Sequence, residues 1–400
     1  MNWLKALVYR LWSGLKVGYN FFIIPPKRWR LPNKSDIVVY DIASLEVLLP
    51  YIFLYSYECI SMGVEFIIVP LVLRTIFKPS FWKGKLIEAY TDCFIQAVNP
   101  KIVLTIIDND IAFYSISKRF PLVKTIFVQN GCRGKIMDNF SIIYKSNNYY
   151  VDYMFVLNNA IGSYYKKFIS GQVMVTGSIK NNHIALLDAD DEPGILFISQ
   201  YDKEPVNNNP MCIDADGKPI YWSTFHGVDA QVVSFLNTWC SENNKVLRIC
   251  GRTSDKEGLE SAFFAKWITS AQWTFSPLSD TFSTYKLLDS AEMVVVIEST
   301  VGFEALARGK KTAFFSCRGA IINVDAFKFG WPIEFPDTGP FWTNIADEKE
   351  FKRILGFLNI ASNDEWESTR KLYATDLMAF EPGNGKFVAL LEQLLGTDVA

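Results

Sequence analysis

MVVVIESTVGFEALARGKKTAFFS, residues 293–316, decides how this chain folds. Its opening run is apolar and valine-rich, with no polar residue to face water on either side. A strand over 293–298 buried on both faces satisfies that pattern. Glu298-Ser299-Thr300 then interrupts the run with two residues that cap helices through their hydroxyls. A helix over 301–308 follows, and Gly309 is the residue type that ends one. KTAFFS (311–316) is a second apolar strand. Strand, capped helix and strand in such quick succession make a parallel crossover, because the helix carries the chain back to the edge it left.

The same alternation runs through most of the chain. DIVVYD (36–41), VEFIIVPLVL (64–73), KIVLTII (101–107), KTIFVQ (124–129), YMFVLN (153–158) and QVMVTG (172–177) read as strands, with helices over 83–98, 111–118 and 160–169. Residues 188–194 (DADDEPG) gather four acids, a proline and a glycine, the composition of a linker. Beyond it GILFISQY (194–201) and KVLRIC (245–250) restart the strands, and helices are expected over 229–242, 283–290, 348–358 and 385–395. An aromatic loop occupies 327–343. The fold class is α/β, with two Rossmann-like parallel-sheet domains facing across a cleft. The expected domains are 31–188 and 189–375, preceded by a segment 1–30 and followed by a helical stretch 376–400 that packs back on the first domain.

Composition narrows the function. Half of the 400 residues are hydrophobic, and 40 Lys and Arg against 42 Asp and Glu leave a net charge of −2. That balance gives no basic footprint for nucleic acid. Two histidines, His183 and His226, cannot build a histidine-rich zinc centre. The seven cysteines form no C-x-x-C pair and read as reduced, mostly buried thiols of a cytoplasmic protein. No apolar stretch is long enough to span a bilayer. Residues 1–30, however, carry six basic side chains and no acid, beside an apolar stripe from Leu4 to Leu15. They are expected to lie as an amphipathic helix on an anionic membrane, which puts the chain on the inner face of the cytoplasmic membrane.

Ligands of open α/β sheets bind beyond the carboxyl ends of the strands. Those ends name the candidates. Ser299, Thr300 and the backbone opened by Gly302 form an anion-binding helix start, with Glu304 one turn on as a ribose acceptor. Gln200, Gly251 and Arg252 end the neighbouring strands, and Arg252 offers a fork for phosphate. His226 and Asp229 form an H-x-x-D at an expected helix start, where an ionised Asp229 is a candidate nucleophile or base. Glu298 and Asp108 are further catalytic candidates. Asp110, Asn130, Gly131 and Lys180 are candidates for the acceptor side. Asp108-Asn109-Asp110 is a D-x-D, but no metal is expected to be obligatory. The phosphate-loop, dinucleotide and G-x-S-x-G signatures do not occur.

NPKIVLTIIDNDIAFYSISKRFP (99–121), KTIFVQNG (124–131), GSIKNN (177–182), ESTVGFEALARGKKTAFF (298–315) and TGPFW (338–342) resemble bacterial surface-carbohydrate enzymes of the GT-B glycosyltransferase class. Within that class the chain resembles the retaining β-Kdo transferases of O-antigen and capsule assembly, of the WbbB type. The resemblance implies a CMP-β-Kdo donor in the C-terminal domain and a glycan acceptor, lipid-linked, in the N-terminal one. It implies that Ser299, Thr300 and Gly302 hold the CMP, that Arg252 faces the donor's charge and that Asp229 is the nucleophile. A GT-B transferase using a nucleotide diphosphate sugar, with Arg308, Lys310 and Lys311 for the pyrophosphate, and a nucleotide-sugar epimerase are the alternatives.

Overall fold

The computed structural model describes residues 25–63, 65–131, 149–187, 192–214 and 216–396. Most of the basic segment expected over 1–30 therefore lies outside the described residues. The chain divides into two compact units. One takes the chain to Val128, Tyr150–Tyr153 and the chain from Val388; the other takes Gln129–Tyr149 and Met154–Phe387.

The first sheet contains β1 (Ile37–Val39), β2 (Tyr57–Cys59), β3 (Ile102–Thr105), β4 (Lys124–Val128), β5 (Tyr149–Val156) and β6 (Ile169–Val175), in the order β2-β1-β3-β4-β5-β6. β1 pairs parallel with β2 and β3, and β3 with β4. Ile37–Val39 and Ile102–Leu104 are wholly buried, as a sheet covered on both faces requires. In the first unit, α1 (Val69–Ile76), α2 (Pro79–Trp82) and α3 (Leu86–Val98) pack together.

One strand expectation is corrected here. Residues 64–73 are not one strand: Ile67–Ile68 pair briefly with Lys27–Arg28, and Val69 begins α1. Pro70 is the cause. It sits in the first helical turn, where its fixed φ suits the helix and its missing N–H costs nothing, whereas inside a ladder it would delete a bond.

The second sheet lies within the second unit. Its strands are β7 (Glu192–Ile198), β8 (Val246–Cys250), β9 (Trp273–Ser276), β10 (Ala291–Val296), β11 (Lys311–Phe315) and β12 (Trp342–Thr343). They stand in the order β9-β8-β7-β10-β11-β12 with every neighbour parallel. The chain thus builds outward from β7 to β9, then returns to β10 beside β7. That reversal is the topological switch point, where ligands of such sheets bind. The helices of this unit include α4 (Trp222–Glu242), α5 (Leu259–Ala265), α6 (Ser283–Asp289), α7 (Thr300–Ala307), α8 (Arg318–Ile321) and α9 (Glu348–Ile360). The aromatic loop region closes the β12 edge: Phe329 stacks on Trp342 with centroids 4.5 Å apart, and Phe341 and Tyr373 pack edge-on around them.

α4 starts at Trp222, about two turns before the expected 229. Tyr221 is extended and ends the irregular stretch after Pro219, so the helix can begin directly behind it. Asp229 is consequently mid-helix, and a helix N-terminus cannot be what holds its charge. Among the described residues no helix is long and apolar enough to cross a membrane. The six described cysteines are free thiols, and burial pushes Cys240 and Cys317 up to about 12.

Candidate functional site

A cavity of about 650 Å³ opens at the carboxyl ends of β7, β8 and β10, and every described residue lining it belongs to the second unit. Ser199 and Gln200 enter it after β7, Gly251 and Arg252 after β8, and Glu298, Ser299 and Thr300 after β10. Hydrogen bonds fix these ends to one another. The Gln200 side-chain Oε1 accepts from the Glu298 backbone N–H at 3.3 Å, spanning the switch point. Arg252 Nη1 donates to the Gln200 carbonyl at 3.1 Å. The buried Glu260 takes the Arg252 and Thr253 N–H groups at 2.8 and 2.9 Å and so shapes the turn after β8.

Ser299 caps α7: its backbone is extended and its Oγ accepts from the Val301 N–H at 3.3 Å. The helix start with Ser299, Thr300 and Val301 forms part of the cavity wall, the arrangement that favours an anion. Asn130, Gly131 and Lys180, expected on the acceptor side, line this same cavity. A Cβ on Gly131 would lie 3.7 Å from Thr300 Oγ1, so the Asn130-Gly131 turn and the α7 start are neighbours.

Glu304 also lines the cavity, but its Oε2 accepts the Tyr285 hydroxyl at 2.9 Å. Burial, followed by the Glu304 charge, pushes the Tyr285 phenol well above its ordinary value and keeps it a donor. Gly302 requires a correction. The sequence reading gave it to a ligand, whereas a Cβ there would meet Val296 Cγ2 at 2.4 Å and Phe314 Cε1 at 2.9 Å. Gly302 is thus what lets α7 lie close on β10 and β11. Gly302→Ala is expected to destabilise the second unit by about 1–3 kcal/mol through overpacking, read as a lower denaturation midpoint.

The catalytic candidates separate. Glu298 lines the cavity with its side chain 7% exposed. Its Oε1 is paired with Arg318 Nη1, and its Oε2 has no partner. Asp229 does not line the cavity. It is completely buried, with its Oδ2 paired to Arg318 Nη2 and 3.1 Å from His226 Nδ1. Asp229 thus lies behind the cavity wall, and its Oδ1, like Glu298 Oε2, is buried without a partner among the described residues. His226 is buried among Trp222, Phe225 and Phe263, facing a separate groove of about 500 Å³. Asp108 and Asp110 belong to the first unit, after β3. Asp108 is completely buried, and Asp110 Oδ1 accepts from the Ala112 N–H at 2.9 Å, an Asx turn that explains the polar loop.

Arg318 is the residue that sequence reasoning missed. It follows β11, is fully buried, and joins Glu298, Asp229, Gln200 and the Phe225 carbonyl. Burial pulls its guanidinium down from the ordinary value and Asp229 pushes back. Its five fixed donors suit several acceptors at once, which a lysine could not match. Only its place directly after a buried strand could have drawn attention to it.

A family model described as "putative O-antigen biosynthesis protein" matches residues 126–395. The chain belongs to that family. No curated protein is significantly similar in sequence. Among solved structures, a "putative UDP-N-acetylglucosamine 2-epimerase" from Listeria monocytogenes is 12% identical, covering 92% of this chain and 98% of its own at a TM-score of 0.52. The UDP-GlcNAc 2-epimerase of Methanocaldococcus jannaschii, solved with UDP-GlcNAc and UDP, is 9% identical over 89% of this chain and 99% of its own, TM-score 0.51. MnaA of S. aureus, solved with UDP, is 11% identical over 92% and 98%, TM-score 0.51. At such identities the likeness concerns the fold, which is of the GT-B type.

Proposed function

We propose that this O-antigen biosynthesis family member is a glycosyltransferase whose donor nucleotide occupies the cavity at the β7–β10 switch point. The observation that carries this reading is the capped start of α7, with Ser299 and Thr300, in the wall of a cavity of about 650 Å³. That volume suits a nucleotide-sized ligand.

The donor we propose is CMP-β-Kdo, transferred to a lipid-linked surface glycan with retention. Charge supports a single phosphate. Lys180 and Arg252 are the cations among the described lining residues. Arg308, Lys310 and Lys311, which a pyrophosphate donor would call on, line a different cavity near the start of β11. Arg308 is further occupied by Asp289, with Nε at 2.7 Å.

Retention by double displacement needs a carboxylate that attacks the anomeric carbon as the bond to the phosphate oxygen breaks. CMP leaves with the bonding pair. A glycan hydroxyl then displaces the carboxylate and gives up its proton to solvent. Glu298 is the carboxylate we assign to this part, because it lines the cavity, whereas Asp229, held by the same Arg318, does not. Asp229 and His226 act behind it, fixing Arg318. Arg252, Gln200 and Gly251 would bound the donor, and Asn130, Gly131 and Lys180 the space beside it. No metal is required, since CMP is already a good leaving group. Asp110 of the first unit is left to the acceptor, while Asp108 is completely buried. We place the reaction at the inner face of the cytoplasmic membrane, where a lipid-linked acceptor would be met.

Incubating the protein with CMP-Kdo, with and without a glycan acceptor, tests the reading. Acceptor-dependent CMP release with a Kdo-extended product is expected. A changed sugar without acceptor would indicate an epimerase, and turnover of a UDP-sugar alone would overturn the donor. Ser299→Ala with Thr300→Ala is expected to weaken CMP binding about tenfold or more in calorimetry, by removing the cap and a cavity hydroxyl.

A further inference from the structure

We propose that α1, α2 and the turn into α3 form a folded docking face for an anionic lipid bilayer, separate from the amino-terminal basic segment. This inference uses the surface of the first unit alone and does not depend on the reaction.

The starting observation is exposed apolar bulk. Phe77 is 86% exposed and Trp82 75%, with Leu73 at 57% and Ile87 at 56%. Large side chains scattered singly would need no explanation. These are not scattered. Leu73, Ile76 and Phe77 are three and four residues apart, so they share one side of α1 and its end. The Trp82 indole donates to the Ile76 carbonyl at 2.9 Å, which fixes the ring beside that end. α2 packs against both α1 and α3, bringing Ile87 into the same region. Buried Leu71, Val72 and Thr75 already provide the inner face of α1, so the exposed side is not a misassigned core.

Charge selects the partner. Residues 66–87 contain Arg74, Lys78, Lys83 and Lys85 and no acid. The acids that face this region from α3 are Glu88, which bridges Lys85 at 3.1 Å, and Asp92, which bridges Arg119 at 2.7 Å. Lys78 donates to the neutral Gln96 at 2.8 Å. Arg74 and Lys83 are exposed, and among the described residues no acid bridges either of them. An apolar cluster with aromatic rings, rimmed by cations, matches the headgroup region of an anionic bilayer. There tryptophan sits at the interface and long basic side chains reach phosphates. A protein partner of ordinary composition would not require a one-sign rim.

The test uses the full-length protein and sedimentation with vesicles of phosphatidylglycerol and phosphatidylcholine, against phosphatidylcholine alone. Wild type should bind the anionic vesicles at least tenfold more tightly. Phe77→Ser with Trp82→Ser, both exposed and so tolerable to the fold, should reduce anionic binding at least fivefold. The same loss should appear in a Lys5→Glu, Arg10→Glu background, which separates this face from the amino-terminal segment. A loss below fivefold in that background overturns the proposal. So does equal binding to both vesicle types, or a Phe77/Trp82 variant that changes the oligomeric state without vesicles, which would make the face a contact between copies of the chain.

Discussion

Glu298→Gln is expected to abolish transfer while leaving CMP binding within a few-fold of wild type. Glutamine keeps the shape of the side chain and can still accept from Arg318, so the cavity wall should stand. It loses the charge that makes a carboxylate a nucleophile. In a step that depends on that group, the drop in turnover should be on the order of 10³-fold or more. Single-turnover rates beside calorimetric CMP affinity separate the two effects. If turnover survives, Glu298 is not the nucleophile.

Arg318→Met should produce a large loss of stability in the second unit. Asp229 and Glu298 share this one guanidinium, and Asp229 is completely buried. Removing the cation leaves the Glu298 and Asp229 carboxylates without their guanidinium, with His226 Nδ1 still beside Asp229, at a cost of roughly 3–5 kcal/mol. Adding Asp229→Leu should recover part of it, because a buried apolar pair is cheaper than an orphaned charge. Denaturant midpoints of the single and double variants check this. A double variant no more stable than Arg318→Met would mean that packing, not charge, dominates the site.

The parts of the fold that were legible in the sequence are those whose patterns are local. β10 shows as an unbroken apolar run, and Ser299 shows as a cap because its hydroxyl serves the residue two positions on. β9 was not legible: it is an edge strand, Trp-Thr-Phe-Ser, without a continuous buried run. The start of α4 was misplaced because Ser223, Thr224 and Gly227 are weak helix formers that the helix nonetheless contains. Gly302 was read as open to a ligand because sequence shows that a Cβ is missing, not what fills the space. The Arg318 cluster was least legible of all. Its partners stand 20 and 89 residues away along the chain, and no periodicity links them.

The central claim is that the donor nucleotide is bound at the carboxyl ends of β7, β8 and β10. Hydrogen exchange of the whole protein with and without CMP measures this most directly. The account predicts slowed exchange in peptides covering 199–201, 250–253 and 298–304, and loss of that protection in the Ser299→Ala, Thr300→Ala variant. Protection by CMP confined to other parts of the chain, with these three turns unchanged, would contradict it.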